Sequence, residues 1–357
     1  MAENTLISWA HDTFNPWEGC TRISPACDNC YAAERAHRFG NDHLWAGHLR
    51  RTSPANWRKP LKWNREAAAS GKPRRVFCAS LADVFDNQAP QAWRDDLWAL
   101  IEATPHLTWM LLTKRPQKIV GMVPPAWLIQ PPTNVWYGTT VEDQTRANQR
   151  IPHLLRVPAA LRFLSCEPLL GPVDLTMIEF PNERGKMECY DALDLHLVDG
   201  EPMSPGTCDG TIELVIAGGE SGPKARAPHP LWFRALRDQC VNAGKPFHLK
   251  QWGEWALGSP PVRRIKDLPG SFCRALSITI DGRAYDGDRL HQFRDGTTMV
   301  RVGKQQAGRR LDGVIHDAMP GEPDPNDCRV CRTDLSNPSA AGAEDGVCGP
   351  CIEEMSF

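Results

Sequence analysis

The sequence predicts an α/β protein. Its core should be a partial or complete TIM-like (βα) barrel of about six or seven parallel strands, with a small β extension and a short cysteine-rich C-terminal module. Three observations lead there. Apolar runs recur between residues 74 and 255, and they are continuous rather than alternating, as strands buried on both faces of a parallel sheet require. Helix-like segments lie between several of them. Polar residues follow nearly every run. That suits a barrel with its site along one rim better than a doubly wound open sheet, whose site gathers at one switch point.

The runs are "RRVFCASLADVF" (74–85), "LTWMLLTKRP" (107–116), "TNVWYGTTVED" (133–143), "LRFLSCEPLLG" (161–171), "IELVIAGGESG" (212–222) and "KPFHLKQWGEW" (245–255). Helices are expected over 90–104, 143–156 and 230–243. Residues 174–211 have no apolar period and hold Cys189, Cys208 and several Gly and Pro, so they read as a loop inserted into a core spanning 1–255. Beyond Trp255, "LSITIDGRAYDG" and "TTMVRVGK" look like strands joined by Asp-Gly turns, giving a β-rich extension over 256–318. A Pro/Asp-rich linker, 319–327, leads to a last module, 328–357.

The composition, 41 % hydrophobic and 24 % charged, is that of a globular domain. No apolar run reaches the roughly 20 residues that span a bilayer, and the N-terminus lacks the pattern of an export signal. A cytoplasmic location is expected, where disulfides are disfavoured. Seven of the thirteen cysteines fall in two tight clusters, which points to metal binding. A formal net charge of −2 argues against indiscriminate coating of nucleic acid. One stretch stands apart: nine Lys or Arg lie between Arg50 and Arg75 against a single acid, Glu66, with Trp57 and Trp63 among them. Either it contacts phosphates while the indoles stack on bases, or it is a solvated helix face whose tryptophans pack inward.

Cys328, Cys331, Cys348 and Cys351 form two C-x2-C pairs separated by sixteen residues. Two such knuckles supply four soft ligands in tetrahedral array, which predicts a structural zinc ribbon. The segment is too poor in apolar residues to fold alone, and Zn2+ would supply the missing stability.

The N-terminal group, Cys20, Cys27 and Cys30 in "GCTRISPACDNCYA", is a triplet with no fourth cysteine nearby. Cys78, the next, sits inside an apolar run and reads as core. His11, His37 or His43 can complete a structural zinc site. Alternatively, three thiolates with nothing for a fourth position suit a [4Fe–4S] cluster with one iron open to the amino and carboxylate groups of S-adenosylmethionine. Placement ahead of a series of βα units favours the cluster, because a loop after the first strand opens onto the active face of a barrel.

Together "ISWAHDTFNPWEGCTRISPACDNCYA", "SLADVF", "LLTKRP", "LSCEPLLGP", "VIAGGESGP", "LKQWGEW" and "MVRVGKQQAGRRLDG" resemble the phage Gp37/Gp68 family, a domain of unknown function similar to the radical S-adenosylmethionine enzymes. The resemblance covers residues 5–315. It implies a partial TIM-type barrel, a cluster loop after the first strand, and Cys20, Cys27 and Cys30 as the cluster ligands. The C-x6-C-x2-C spacing departs from the common C-x3-C-x2-C of those enzymes.

Were the runs strands, their C-terminal ends would carry the remaining site. Candidates for catalysis are Lys114, Glu142, Glu167 and Lys250; candidates for cofactor binding are Ser80, Asp83, Thr113, Arg115, Gly218, Gly219, Glu220 and Ser221, with Gln251 beside them. Lys114 and Arg115 suit a carboxylate or phosphate. Gly218 and Gly219 would let the backbone approach a ligand closely. The expected function is a radical S-adenosylmethionine-type enzyme acting on a small molecule, a nucleotide or nucleic acid, served by an electron-donor protein and with no membrane role. The alternative is a non-catalytic, zinc-stabilised module that binds nucleic acid or protein.

Overall fold

A computed structural model describes residues 3–181, 185–194, 210–258 and 289–322, together with the backbone of three short strands between 259 and 288. Cys208 and the four cysteines of the expected zinc ribbon, Cys328, Cys331, Cys348 and Cys351, lie outside the described residues. Among the described residues, no helix is long and apolar enough to cross a membrane.

Seven parallel strands form one sheet: β1 (Asp12–Phe14), β2 (Arg74–Cys78), β3 (Leu107–Thr113), β4 (Val135–Thr140), β5 (Leu161–Cys166), β6 (Leu214–Gly218) and β7 (Phe247–Gln251). They pair in chain order, each with the next. A doubly wound sheet reverses its order at a switch point; this one never does, so its crossovers all turn the same way and the sheet curls into a partial barrel. Among the described residues no hydrogen bonds join β1 to β7, and the barrel stays open.

The register shows why these runs are strands buried on both faces. Phe14, Cys78, Leu111 and Tyr137 lie side by side across β1 to β4 and face outward, under the helices. Phe77, Met110, Trp136 and Leu161 form the adjacent inward row. Trp9 fills the concave side, its ring 4.6 Å from Phe77 and 6.4 Å from Phe163, and Met319 is buried in the same cluster. On β4, Gly138 makes room for that filling: a Cβ there would stand 2.3 Å from the Phe163 ring.

The covering helices are α1 (Tyr31–Arg38), α2 (Lys59–Ser70), α3 (Gln91–Glu102), α4 (Gln144–Leu155) and α5 (Pro230–Asn242). The Asp143 carboxylate caps α4, accepting from the Arg146 N–H at 2.9 Å. Strand β1 is three residues long, too short for a pattern, and is held by charge: the Arg74 guanidinium donates twice to the fully buried Asp12, at 2.9 Å each. The 174–211 insertion contains a hairpin, Ile178–Pro181 with Met187–Tyr190. In the extension, Trp255–Gly258, Leu290–Gln292 and Thr298–Arg301 form a three-stranded antiparallel sheet.

The basic 50–75 stretch takes its second reading. Trp63 is buried, and Trp57 meets Phe14 edge-on under the Arg51 guanidinium. Arg50, Arg51, Lys62, Arg74 and Arg75 are ion-paired to Glu18, Asp96, Glu3, Asp12 and Glu322 respectively.

Candidate functional site

A cavity of about 920 Å³ opens at the C-terminal ends of the strands, on the concave side of the sheet. Cys20, Cys27 and Cys30 all line it, each partly exposed. Their loop leaves β1, pairs Trp17–Glu18 with Arg50–Arg51, and turns at Gly19. That position needs glycine twice over. Its φ is +111°, and a Cβ would lie 2.6 Å from the Leu44 carbonyl oxygen. A short 3-10 turn, Pro25–Cys27, follows, and Cys30 is the N-cap of α1.

Two ion-pair clamps fix this loop. On the Cys20 side, Arg115 reaches Asp83 at 2.9 Å and Asp86 at 3.1 Å, donates to the Thr21 carbonyl at 2.9 Å, and brings its guanidinium to 3.8 Å from the Cys20 sulfur. Asp86 also accepts from the Thr21 N–H and hydroxyl, both at 2.9 Å. Asp83 accepts from the Thr113 hydroxyl at 2.7 Å and the Lys114 N–H at 3.0 Å. Burial alone would raise the Asp86 carboxyl. The Gln88 N–H, the Arg115 charge and the Thr21 donors overcome it and hold the group below the ordinary carboxylate value. On the Cys27–Cys30 side, Arg226 pairs with Glu220 at 2.5 Å, donates to the Pro25 carbonyl at 2.9 Å and reaches Asp28 at 3.3 Å. Asn29 donates to Glu220 at 2.9 Å.

Burial, helped by Asp83, pushes the Cys20 thiol up to about 12, with Arg115 working against it. A metal that bound there would have to displace the proton. Among the described residues, no three His, Cys, Asp or Glu side chains form a group that could hold one metal ion. The histidines that might have completed a zinc site are elsewhere. His11 accepts from the Arg75 N–H, His37 pairs with Asp42, and the His43 ring lies 6.4 Å from that of His48.

The structure sorts the rim candidates into two groups. Ser80, Asp83, Thr113, Lys114, Arg115, Glu167, Gly219, Glu220, Ser221, Lys250 and Gln251 line the cavity. Glu142 and Gly218 do not. Glu142 is fully buried beneath the cysteine loop, paired with Arg150 at 2.7 Å and accepting from the Ala26 N–H at 3.4 Å. Of those that do line it, Arg115 and Glu220 are bound to the loop, and Asp83 to Arg115, rather than free for a ligand. The glycine expectation is corrected too. A Cβ on Gly219 would lie 2.0 Å from the Trp252 carbonyl oxygen, and one on Gly218 3.0 Å from the Glu167 carboxylate, so the space they save is filled by the chain itself. Elsewhere on the rim, Glu167 accepts from Lys250 at 2.7 Å and Gln251 at 2.8 Å, and Gln251 donates on to Ser221 at 2.8 Å. Asn15, Asp86, Arg226, Lys304 and Arg309 were not among the expected site residues. Asn15, Lys304 and Arg309 nonetheless lie inside the motifs quoted above, and Asp86 and Arg226 stand three and six residues beyond Asp83 and Glu220.

Comparison with curated proteins returns no match. Among solved structures, a double mutant of spore photoproduct lyase with bound AdoMet and dinucleoside spore photoproduct is similar at 12 % identity and a TM-score of 0.32, over 44 % of this chain and 46 % of that one. A single mutant of the lyase matches at 11 % identity and 0.36, over 84 % and 70 %. The lyase complexed with dinucleoside spore photoproduct matches at 10 % and 0.35, over 82 % and 68 %. This chain thus spans less than half the length of the first of these. Residues 4–320 match the family model described as "Protein of unknown function (DUF5131)", nearly the whole chain short of the terminal cysteine quartet, and the protein belongs to that family.

Proposed function

We propose that the protein is a radical S-adenosylmethionine-type enzyme, with Cys20, Cys27 and Cys30 as the ligands of a [4Fe–4S] cluster. The observation that carries the reading is the presence of all three thiols on one wall of a 920 Å³ cavity at the C-terminal end of an open parallel barrel. The donor set fits. Each thiolate of a cubane takes its own iron, so three cysteines from one loop supply three irons and leave the fourth without a protein ligand. When bound, such a cluster supplies a coordination position for the sulfonium cofactor and one electron to cleave it.

The chain's own part is positional. Arg115 and Arg226 tie the two halves of the loop to the strand ends, which limits how far the thiols have to move on loading. The Arg115 N–H directed at the Cys20 sulfur favours its thiolate. The inward row of Phe77, Met110 and Leu161 and the ring of Trp9 close the barrel beneath the site and exclude water from its floor. The distinguishing experiment is anaerobic reconstitution with iron and sulfide, followed by metal analysis, an electron paramagnetic resonance spectrum of the reduced protein, and an assay for 5′-deoxyadenosine. The Cys20→Ala, Cys27→Ala and Cys30→Ala variants should each lose the iron signal. A colourless wild-type protein with zinc on the triplet would defeat the proposal.

A further inference from the structure

The charges around the cavity do not balance. Three carboxylates line it, and each has a partner: Asp83 with Arg115, Glu167 with Lys250, and Glu220 with Arg226. The lining arginines Arg22, Arg35 and Arg309 pair outward, with Asp28, Glu18 and Asp317. Lys114, just after β3, and Lys304, which opens the short Lys304–Ala307 helix, have no ion pair among the described residues. Far apart in sequence, both line the same cavity.

Lys304 also stands close enough to Lys250 for the two charges to oppose one another. Loss of solvent around it and that repulsion hold its ammonium below the ordinary lysine value, with the Glu167 and Glu254 carboxylates working against them. Cations without an ion pair around a concave cavity create a positive field that focuses on it. A ligand of negative charge is drawn to that field. The wall around them is mixed, with Leu112 and Phe77 beside the hydroxyls of Thr140 and Ser165. The volume is near the top of the roughly 300–1,000 Å³ range of small-molecule sites, leaving room for more than one ligand.

We infer that Lys114 and Lys304 are the recognition groups for an anionic substrate, a small molecule carrying a phosphate or carboxylate group. Lysine, a compact charge on a flexible stem, suits either anion. The inference rests on the function proposed above, and names the substrate class of that site.

The test is thermal unfolding of the full chain, as purified and after iron–sulfide reconstitution, with inorganic phosphate or malonate against chloride at equal ionic strength. One of the two anions should raise the midpoint, and which one does so assigns the group. The Lys114→Ala and Lys304→Ala variants should each weaken that anion's apparent affinity at least tenfold. Lys72→Ala, on the exposed loop before β2, should leave it unchanged. No shift with either anion, or an equal response from all three variants, overturns the inference. So does a shift that S-adenosylmethionine abolishes, because the lysines would then be serving that cofactor's own carboxylate. Additive shifts support it. Failure of iron to bind while the lysine-dependent anion shift persists would sink the cluster reading alone.

Discussion

Replacing Arg115 with alanine removes the centre of the clamp on Cys20. The side chain is 8 % exposed and faces Asp83 at 7 % and Asp86 at 2 %. Deletion leaves two buried carboxylates without their cation and the Thr21 carbonyl with only the weak Cys20 thiol as a donor. Breaking a buried pair in this way costs about 3–5 kcal/mol, against about 0–1 kcal/mol for an exposed one. The assay is urea unfolding followed by circular dichroism, on the iron-free chain at pH 7 and again near pH 4. Asp86 sits below its ordinary value in the wild type, so its contribution is present above that value and fades as pH falls through the folded one. In the variant, burial acts unopposed by Arg115 and favours the protonated acid, so the gap between the proteins should narrow with acid. Arg115→Lys should fall between the two, since an ammonium cannot span both aspartates and the Thr21 carbonyl. A loss under about 1 kcal/mol at pH 7, or a gap that widens at low pH, would refute the clamp.

Gly138→Ala should destabilise by about 1–3 kcal/mol through overpacking, because its Cβ falls on the Phe163 ring; adding Phe163→Leu should recover part of this in the same urea titration. Glu142→Gln should lower stability by about 3 kcal/mol, by leaving Arg150 unpaired in the interior, yet leave anion binding in the cavity unchanged; a lost anion shift would return Glu142 to the site. His248, buried between Ser8 and Arg309, is held neutral, its value pushed down from 6.5 to about 3 by burial and the Arg309 charge. A lowered histidine contributes stability that is present above its unfolded value and lost as pH falls, so up to about 2 kcal/mol should disappear between pH 7 and 5. His248→Gln should flatten that slope, and an unchanged slope would assign it to other groups.

Much of the fold could be read from residues close together in the chain. The six runs from 74 to 255 each contain one of β2 to β7, and the three expected helices contain α3, α4 and α5. Continuous apolar runs are a local property, fixed by burial on both faces. Strand β1 escaped because three residues carry no period, and because its anchor, the Asp12–Arg74 pair, spans 62 positions. The pairing of Trp57 and Trp63 with the core was open for a related reason. Whether an indole on an amphipathic helix faces in or out depends on what the sheet offers it.

The sequence by itself determined which groups gather at the cavity: the three thiols, and a series of polar residues behind the strands. It could do so because a βα repeat places every strand end on the same rim. Only the tertiary structure decided what those groups touch. Arg115 and Glu220 turned to the cysteine loop, Asp83 to Arg115, Glu142 sank beneath the loop, and Lys114 and Lys304, 190 positions apart, came to line one cavity. A side chain's partner is chosen by distance in space, through fields that fall off within a few ångströms, and the spacing of letters along the chain carries no record of that distance.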